Sequence, residues 1–183
     1  MTYSELLQQL TVESQDNREV FTRTNRLERI KNLLHESSYE LLYAGKLALI
    51  YGKKGVTPAK ARLLVSSHID TVYTHCFCEE TDTHWKGTFD NSATNTALLQ
   101  LMLENKIGDH VLIAFTGDEE IESRGAQEVK RWCSQQTWHP SAILVLDVTN
   151  EGWDDSVSFS IENDRGFDLL TAYQIISSIQ ESE

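Results

Sequence analysis

The sequence predicts an α/β fold, a three-layer αβα sandwich whose largely parallel sheet lies between helical layers. Two observations predict it. Short, unbroken apolar runs end at residues 68, 115 and 146, the form taken by strands covered on both faces. Between them lie segments with helical periodicity, and strands alternating with helices of that size build parallel sheets.

Taken in order, the chain opens as a helix, with Leu6, Leu7 and Leu10 on one side. The polar stretch Ser14-Gln15-Asp16-Asn17 precedes a second helix, whose apolar positions Val20, Leu27, Ile30 and Leu34 fit a 3.6-residue period. Leu41-Leu42-Tyr43 and Leu47-Ala48-Leu49-Ile50-Tyr51 read as strands, with Gly45 or Gly52 turning the chain. The three buried strands follow at 62–68, 111–115 and 142–146. One helix is expected from Ser92 to Glu104, with Ala93, Ala97, Leu101 and Met102 inward, and another from Ser123 to Ser134. A strand over Val157–Ile161 and a helix over Phe167–Ile179 close the chain. With 183 residues the whole is expected to be a single domain, 1–183.

Composition narrows the function. Apolar residues make up 40% and charged residues 24%, as in ordinary globular proteins. Acids outnumber bases 28 to 16, for a net charge of -12. Such a surface repels phosphate backbones and carries no Lys/Arg cluster, so no nucleic-acid partner is expected. No signal peptide or apolar run of membrane-spanning length is visible, so no membrane association is expected. The three cysteines, Cys76, Cys78 and Cys133, lack a disulfide-framework spacing and fit a reducing cytoplasm. Cys76 and Cys78 lie two apart, on one face if they share a strand. They read as small buried hydrophobes, with a metal role as the alternative.

Ligands of such sheets bind beyond the carboxyl ends of the strands. The first central strand ends in His68-Ile69-Asp70-Thr71-Val72, the second in Thr116-Gly117-Asp118-Glu119-Glu120, and the third in Asp147. Between the first two, Asp90 stands just before a helix. Each group alone has an ordinary explanation. A histidine at a strand end is a hydrogen-bonding surface group, an Asp before a helix is an N-cap, and paired Glu complement a helix dipole. Caps and dipole partners have no reason to gather an imidazole and several acids at one edge of one sheet. A metal site does.

These residues carry a resemblance. The set His68-x-Asp70-Thr71-Val72, Gly87-Thr88-Phe89-Asp90-Asn91, Thr116-Gly117-Asp118-Glu119-Glu120 and Leu146-Asp147 resembles the zinc exopeptidase superfamily, which includes leucyl aminopeptidases, glutamate carboxypeptidases, aminoacylases and desuccinylases. The gaps, 22 residues from His68 to Asp90, 30 to Glu120 and 27 to Asp147, are most like the aminopeptidase branch. His-x-Asp-Thr-Val is more like the aminoacylase and desuccinylase branch, as are the opening helices and Lys46–Gly52.

The resemblance implies a zinc-exopeptidase-like αβα sandwich with a mostly parallel, mixed central sheet. It also implies one or two Zn2+ ions, with Mn2+ or Co2+ as substitutes. His68 and Glu120 would bind one metal, Asp147 the other, and Asp90 would bridge them. Asp70 would orient the His68 ring, and Glu119 would act as general base. The Asp90–Asn91 peptide is expected to be cis. The implied activity is hydrolysis of a terminal peptide or acyl-amino-acid amide bond by a metal-activated water.

The sequence departs from the pattern at one point. The superfamily carries a further histidine ligand well past the position of Asp147, and this chain has no histidine after Asp147. The remaining His35, His75, His84, His110 and His139 match no ligand position, and only His75 lies near the site in sequence. The expected catalytic domain therefore lacks its usual C-terminal part. The second metal would keep only Asp147 and Asp90, and a normally covered sheet edge would be exposed. Two further expectations follow: a homodimer, and, as the alternative to an enzyme, a catalytically impaired relative that binds metal or peptide. Trp85, Phe89 and Trp153 flank the motifs, either lining a pocket or packing in the core.

Overall fold

The computed structural model of the chain describes residues 1–13, 24–148 and 169–180. The chain divides into two compact units, Met1–Val148 and Thr149–Glu183. The described part of the second unit is one helix, α5 (Leu169–Gln180), where a closing helix is expected. The expected strand at Val157–Ile161 lies outside the described residues, as do Val20 and Trp153. Among the described residues, no helix is long and apolar enough to cross a membrane.

In the first unit, α1 (Tyr3–Gln8) starts at a capping box. Thr2 Oγ1 accepts the Glu5 N–H at 3.2 Å, and Glu5 Oε2 accepts the Thr2 N–H at 2.7 Å, which satisfies two otherwise orphaned donors. A π-helical turn, Gln9–Glu13, continues it. Helix α2 spans Thr24–Leu34, and the hairpin β1 (Tyr39–Ala44) and β2 (Ala48–Lys53) follows. Next come β3 (Leu63–His68), the short ribbon β4 (Cys78–Glu80) and β5 (Trp85–Gly87), and helix α3 (Ser92–Leu103). Strand β6 (Val111–Thr116), helix α4 (Arg124–Gln135) and strand β7 (Ala142–Leu146) complete the unit.

The main sheet has the order β1-β2-β6-β3-β7. Strands β6, β3 and β7 are mutually parallel, and β2 runs antiparallel to both β6 and β1. This is the mixed, mostly parallel sheet of the expected αβα sandwich. Its strands alternate between two cores. Leu49, Tyr51, Val65, Val111, Ile113 and Phe115 pack with Leu27, Ile30 and Leu34 of α2 and Leu98, Leu99 and Met102 of α3. Ala48, Ile50, Leu64, Leu112 and Ala114 pack with Val129, Trp132 and Cys133 of α4. Every residue of β6 is buried, and each large side chain so placed contributes about 1.5–3 kcal/mol.

Three expectations need correction. The inward face of α3 is Asn95, Thr96, Leu98, Leu99 and Met102, whereas Ala97 and Leu101 face solvent. Polar residues share the buried face at the helix start, so hydrophobic periodicity alone sets the face wrongly. Strand β7 is not covered on both faces: Ile143, Leu144 and Val145 are exposed, because β7 is the last strand of the sheet among the described residues. Cys76 and Cys78 do not share a strand. Cys76 is buried in the loop after β3, with its sulfur 3.9 Å from Arg26 Nη2, while Cys78 opens β4.

Candidate metal centre

Topology brings the candidate residues together. Parallel pairing aligns His68 with Thr116 and Ser67 with Leu146, so β3, β6 and β7 end side by side. Their next residues, Ile69 to Asp70, Gly117 to Glu120, and Asp147, therefore share one edge. The Ile69 N–H donates to Thr116 O at 2.7 Å and locks the first two ends. Helix α3 begins beneath this edge, directly after Asp90, and the Asp90–Asn91 peptide is cis, as expected.

His68, Asp90 and Asp147 form the tightest cluster: one donor atom from each lies within 4.8 Å of the others. His68 Nε2 is 3.1 Å from Asp90 Oδ1 and 3.3 Å from Asp147 Oδ1. The imidazole is buried, while Asp90 and Asp147 are partly open to solvent. On the far side of the ring, Nδ1 lies 3.5 Å from Oδ1 of the fully buried Asp70. Asp70 Oδ2 accepts the Glu120 backbone N–H at 3.1 Å, tying the ring's neighbour to the end of β6.

The donor set fits a cation. A single ring N–H cannot point at two carboxylate oxygens at once, and Asp90 Oδ1, though buried, has no well-aligned donor. The carboxylates also repel each other unless a positive charge stands between them. Without metal, a proton fills that role. Burial alone lowers the His68 pKa, but the neighbouring carboxylates of Asp147, Asp70 and Asp90 override it and push it up to about 12. The same contact acts on Asp147: burial raises its pKa, but the His68 hydrogen bond and charge hold it below the usual carboxylate range.

Glu119 and Glu120 sit in the turn between β6 and α4. Glu120 is half-buried, and its pKa is raised by burial and by the charges of Asp90 and Glu119. Its carboxylate thus senses the site but stands outside the tight cluster. Glu119 is exposed. The turn is set by left-handed backbone at Asp118, Glu122 and Ser123 and by an ion pair of buried Asp118 with Arg124. Gly125 lets α4 close on it: a Cβ there would stand 2.4 Å from Gly117 O and 2.8 Å from Leu47 O.

Sequence reasoning missed the polar layer under the cluster. Asn91 Nδ2 donates to Leu146 O at 2.9 Å and to Ser67 Oγ at 3.3 Å, and Ser67 Oγ lies 2.8 Å from Thr94 Oγ1. Asn95 Nδ2 donates to His68 O at 2.6 Å. The available signal was the density of amides and hydroxyls in Asn91-Ser92-Ala93-Thr94-Asn95, more than a solvated first turn needs. His75 is exposed and outside the cluster. Trp85 is also exposed and packs on Tyr3, ring centroids 5.4 Å apart.

An αβα sandwich with imidazole and carboxylate donors at the carboxyl edge of its parallel strands has the build of the zinc exopeptidase superfamily. Within it, the chain belongs to peptidase family M28, which matches residues 49–176. Two solved structures share the fold. Aminopeptidase PepT from Bacillus cereus superposes with a TM-score of 0.54 at 19% identity, over 80% of this chain and 42% of its own. LapA from Legionella pneumophila superposes with a TM-score of 0.50 at 15% identity, over 80% of this chain and 43% of its own. The chain thus spans less than half the length of either. No curated protein sequence matches it.

Proposed function

We propose that the chain is the metal-holding part of a metal-dependent exopeptidase that hydrolyses a terminal peptide or acyl-amino-acid amide bond. The observation that carries this reading is the convergence of His68 Nε2 with Asp90 and Asp147 oxygens, 3.1 and 3.3 Å away. His68, Asp90, Asp147 and Glu120 would hold one or two divalent ions, zinc by preference, with manganese or cobalt as substitutes. When bound, such an ion supplies Lewis acidity, lowering the pKa of water and polarising a carbonyl.

The chain's own groups supply the rest. Asp70 holds the His68 ring from behind, fixing its orientation. Glu119 takes a proton from the attacking water and delivers it to the leaving nitrogen as the C–N bond breaks, yielding a carboxylate and an amine. Glu120, its pKa raised by burial and neighbouring charge, is a carboxylate that gains from a nearby cation.

One observation favours a second reading, a metal- or peptide-binding relative without activity: Glu119 is exposed and stands outside the cluster of His68, Asp90 and Asp147. A single experiment separates the two. The chain, loaded with zinc or cobalt, is assayed on aminoacyl and acyl-amino-acid amides beside Glu119→Gln. The enzyme reading expects hydrolysis that falls about 100-fold or more in the variant. Equal rates in both proteins, or none in either, favour the binding module. We also place the chain in the cytoplasm, which suits its three cysteine thiols, and expect a homodimer through the exposed β7 edge.

A further inference from the structure

We propose that Asn95 is a positioning residue for this centre: its side-chain amide sets the place of His68 relative to Asp90. The inference rests on the metal-centre reading above. Asn95 is fully buried in the first turn of α3. Its Nδ2 donates to two carbonyls, His68 O at 2.6 Å and Asn91 O at 2.8 Å. The first belongs to the residue that carries the imidazole. The second belongs to the residue directly after Asp90. One amide therefore spans the two segments that deliver the closest donor pair, His68 Nε2 and Asp90 Oδ1.

The amide's orientation is determined by chemistry. Both partners are acceptors, so only the NH2 end can face them. The Oδ1 end is buried with no hydrogen-bond partner. Burying that oxygen costs desolvation with no return, and a leucine at this helix position would avoid the cost. Helix stability alone therefore does not call for asparagine here. Nor does the helix need the side chain to close its turn, since the Asn95 backbone N–H already reaches Asn91 O at 3.2 Å. What the side chain adds is the long-range bond to His68.

Asn91 makes the matching link on the other side. Its side chain reaches Leu146 O, one residue before Asp147. Asn95 to β3 and Asn91 to β7 thus hold both strand ends against the helix that Asp90 precedes. Metal donors must be placed within about 0.2 Å of their bonding distances, so slack in this layer reads out as lost affinity.

The test uses the full 183-residue chain. Co2+ affinity is measured by visible absorption under chelator competition, and thermal melting is measured on metal-free protein. The variants are Asn95→Leu, Asn95→Asp and Leu98→Ala; Leu98 is a core residue of the same helix. Asn95→Leu and Asn95→Asp should weaken Co2+ binding by about 10–100-fold and alter its absorption bands. Leu98→Ala should lower the melting temperature while leaving affinity within about threefold.

Unchanged affinity in a folded Asn95 variant overturns the inference, and so does an equal loss in Leu98→Ala. If both Asn95 variants fail to fold while Leu98→Ala folds, Asn95 is a core residue only and the inference is again overturned. A wild-type chain that takes up no cobalt overturns the metal-centre reading together with it. A wild-type chain that binds cobalt no better than its Asn95 variants overturns the inference alone.

Discussion

At the scale of single residues, His68 decides how the centre responds to pH. Enclosed by Asp147, Asp70 and Asp90, its imidazole stays protonated well above neutrality without metal, with a pKa pushed up to about 12. Because the folded pKa lies above the ordinary value, the stabilisation that His68 gains from these carboxylates is full below about pH 6.5, wherever the carboxylates are ionised, and declines as pH rises toward 12. A metal ion must displace that proton. Affinity should therefore rise with pH, about tenfold per unit for each proton released. Calorimetric zinc titrations in two buffers of different ionisation enthalpy check this, with about one proton released per ion expected near pH 7. Proton-independent uptake would contradict it. His68→Ala should weaken uptake sharply. The convergence of His68, Asp90 and Asp147 was legible in the sequence because caps and dipole partners have no reason to gather an imidazole and acids at one sheet edge. Asn91 and Asn95 were not, because an amide in a first turn looks like any cap until its partner across the fold is known.

Among the elements, the α4 start supports the turn that presents Glu119 and Glu120. Gly125 packs its backbone on Gly117 O, leaving no room for a methyl group. Gly125→Ala should destabilise the protein by about 1–3 kcal/mol through overpacking, measured by urea unfolding. An unchanged midpoint would show that the turn adapts freely. Strand β6, which leads into this turn, was legible as an unbroken apolar run and is buried end to end. The β4–β5 ribbon was not, since Cys78-Glu79-Glu80 and Trp85-Lys86-Gly87 show no alternation and, among the described residues, pair only with each other. The face of α3 was misread for a related reason. Its buried side begins with Ser92, Asn95 and Thr96, and hydropathy cannot distinguish a satisfied buried polar group from an exposed one. Thr96 Oγ1 returns to Ser92 O at 2.7 Å, and Ser92 Oγ lies 2.7 Å from Thr11 Oγ1.

For the molecule as a whole, the sandwich places its donors at one sheet edge while β7 exposes Ile143, Leu144 and Val145. An exposed apolar strand is a template for pairing. Sedimentation should show association that grows with concentration, and Val145→Lys should suppress it while changing stability by no more than about 0.5 kcal/mol. A strictly monomeric wild type would remove the homodimer. The sandwich and the shared edge were legible because strand and helix periods alternate cleanly along the chain. An uncovered sheet edge was expected, but the open faces of β7 were not, because an apolar run looks the same whether or not another layer covers it. The central claim, that His68, Asp90 and Asp147 bind one cation, is tested most directly by zinc-edge X-ray absorption on the loaded chain. The expected spectrum has only nitrogen and oxygen neighbours, at about 2.0–2.2 Å, and an imidazole signature that His68→Ala removes. A sulfur shell at about 2.3 Å, or a spectrum indifferent to His68→Ala, would place the metal elsewhere and contradict the account.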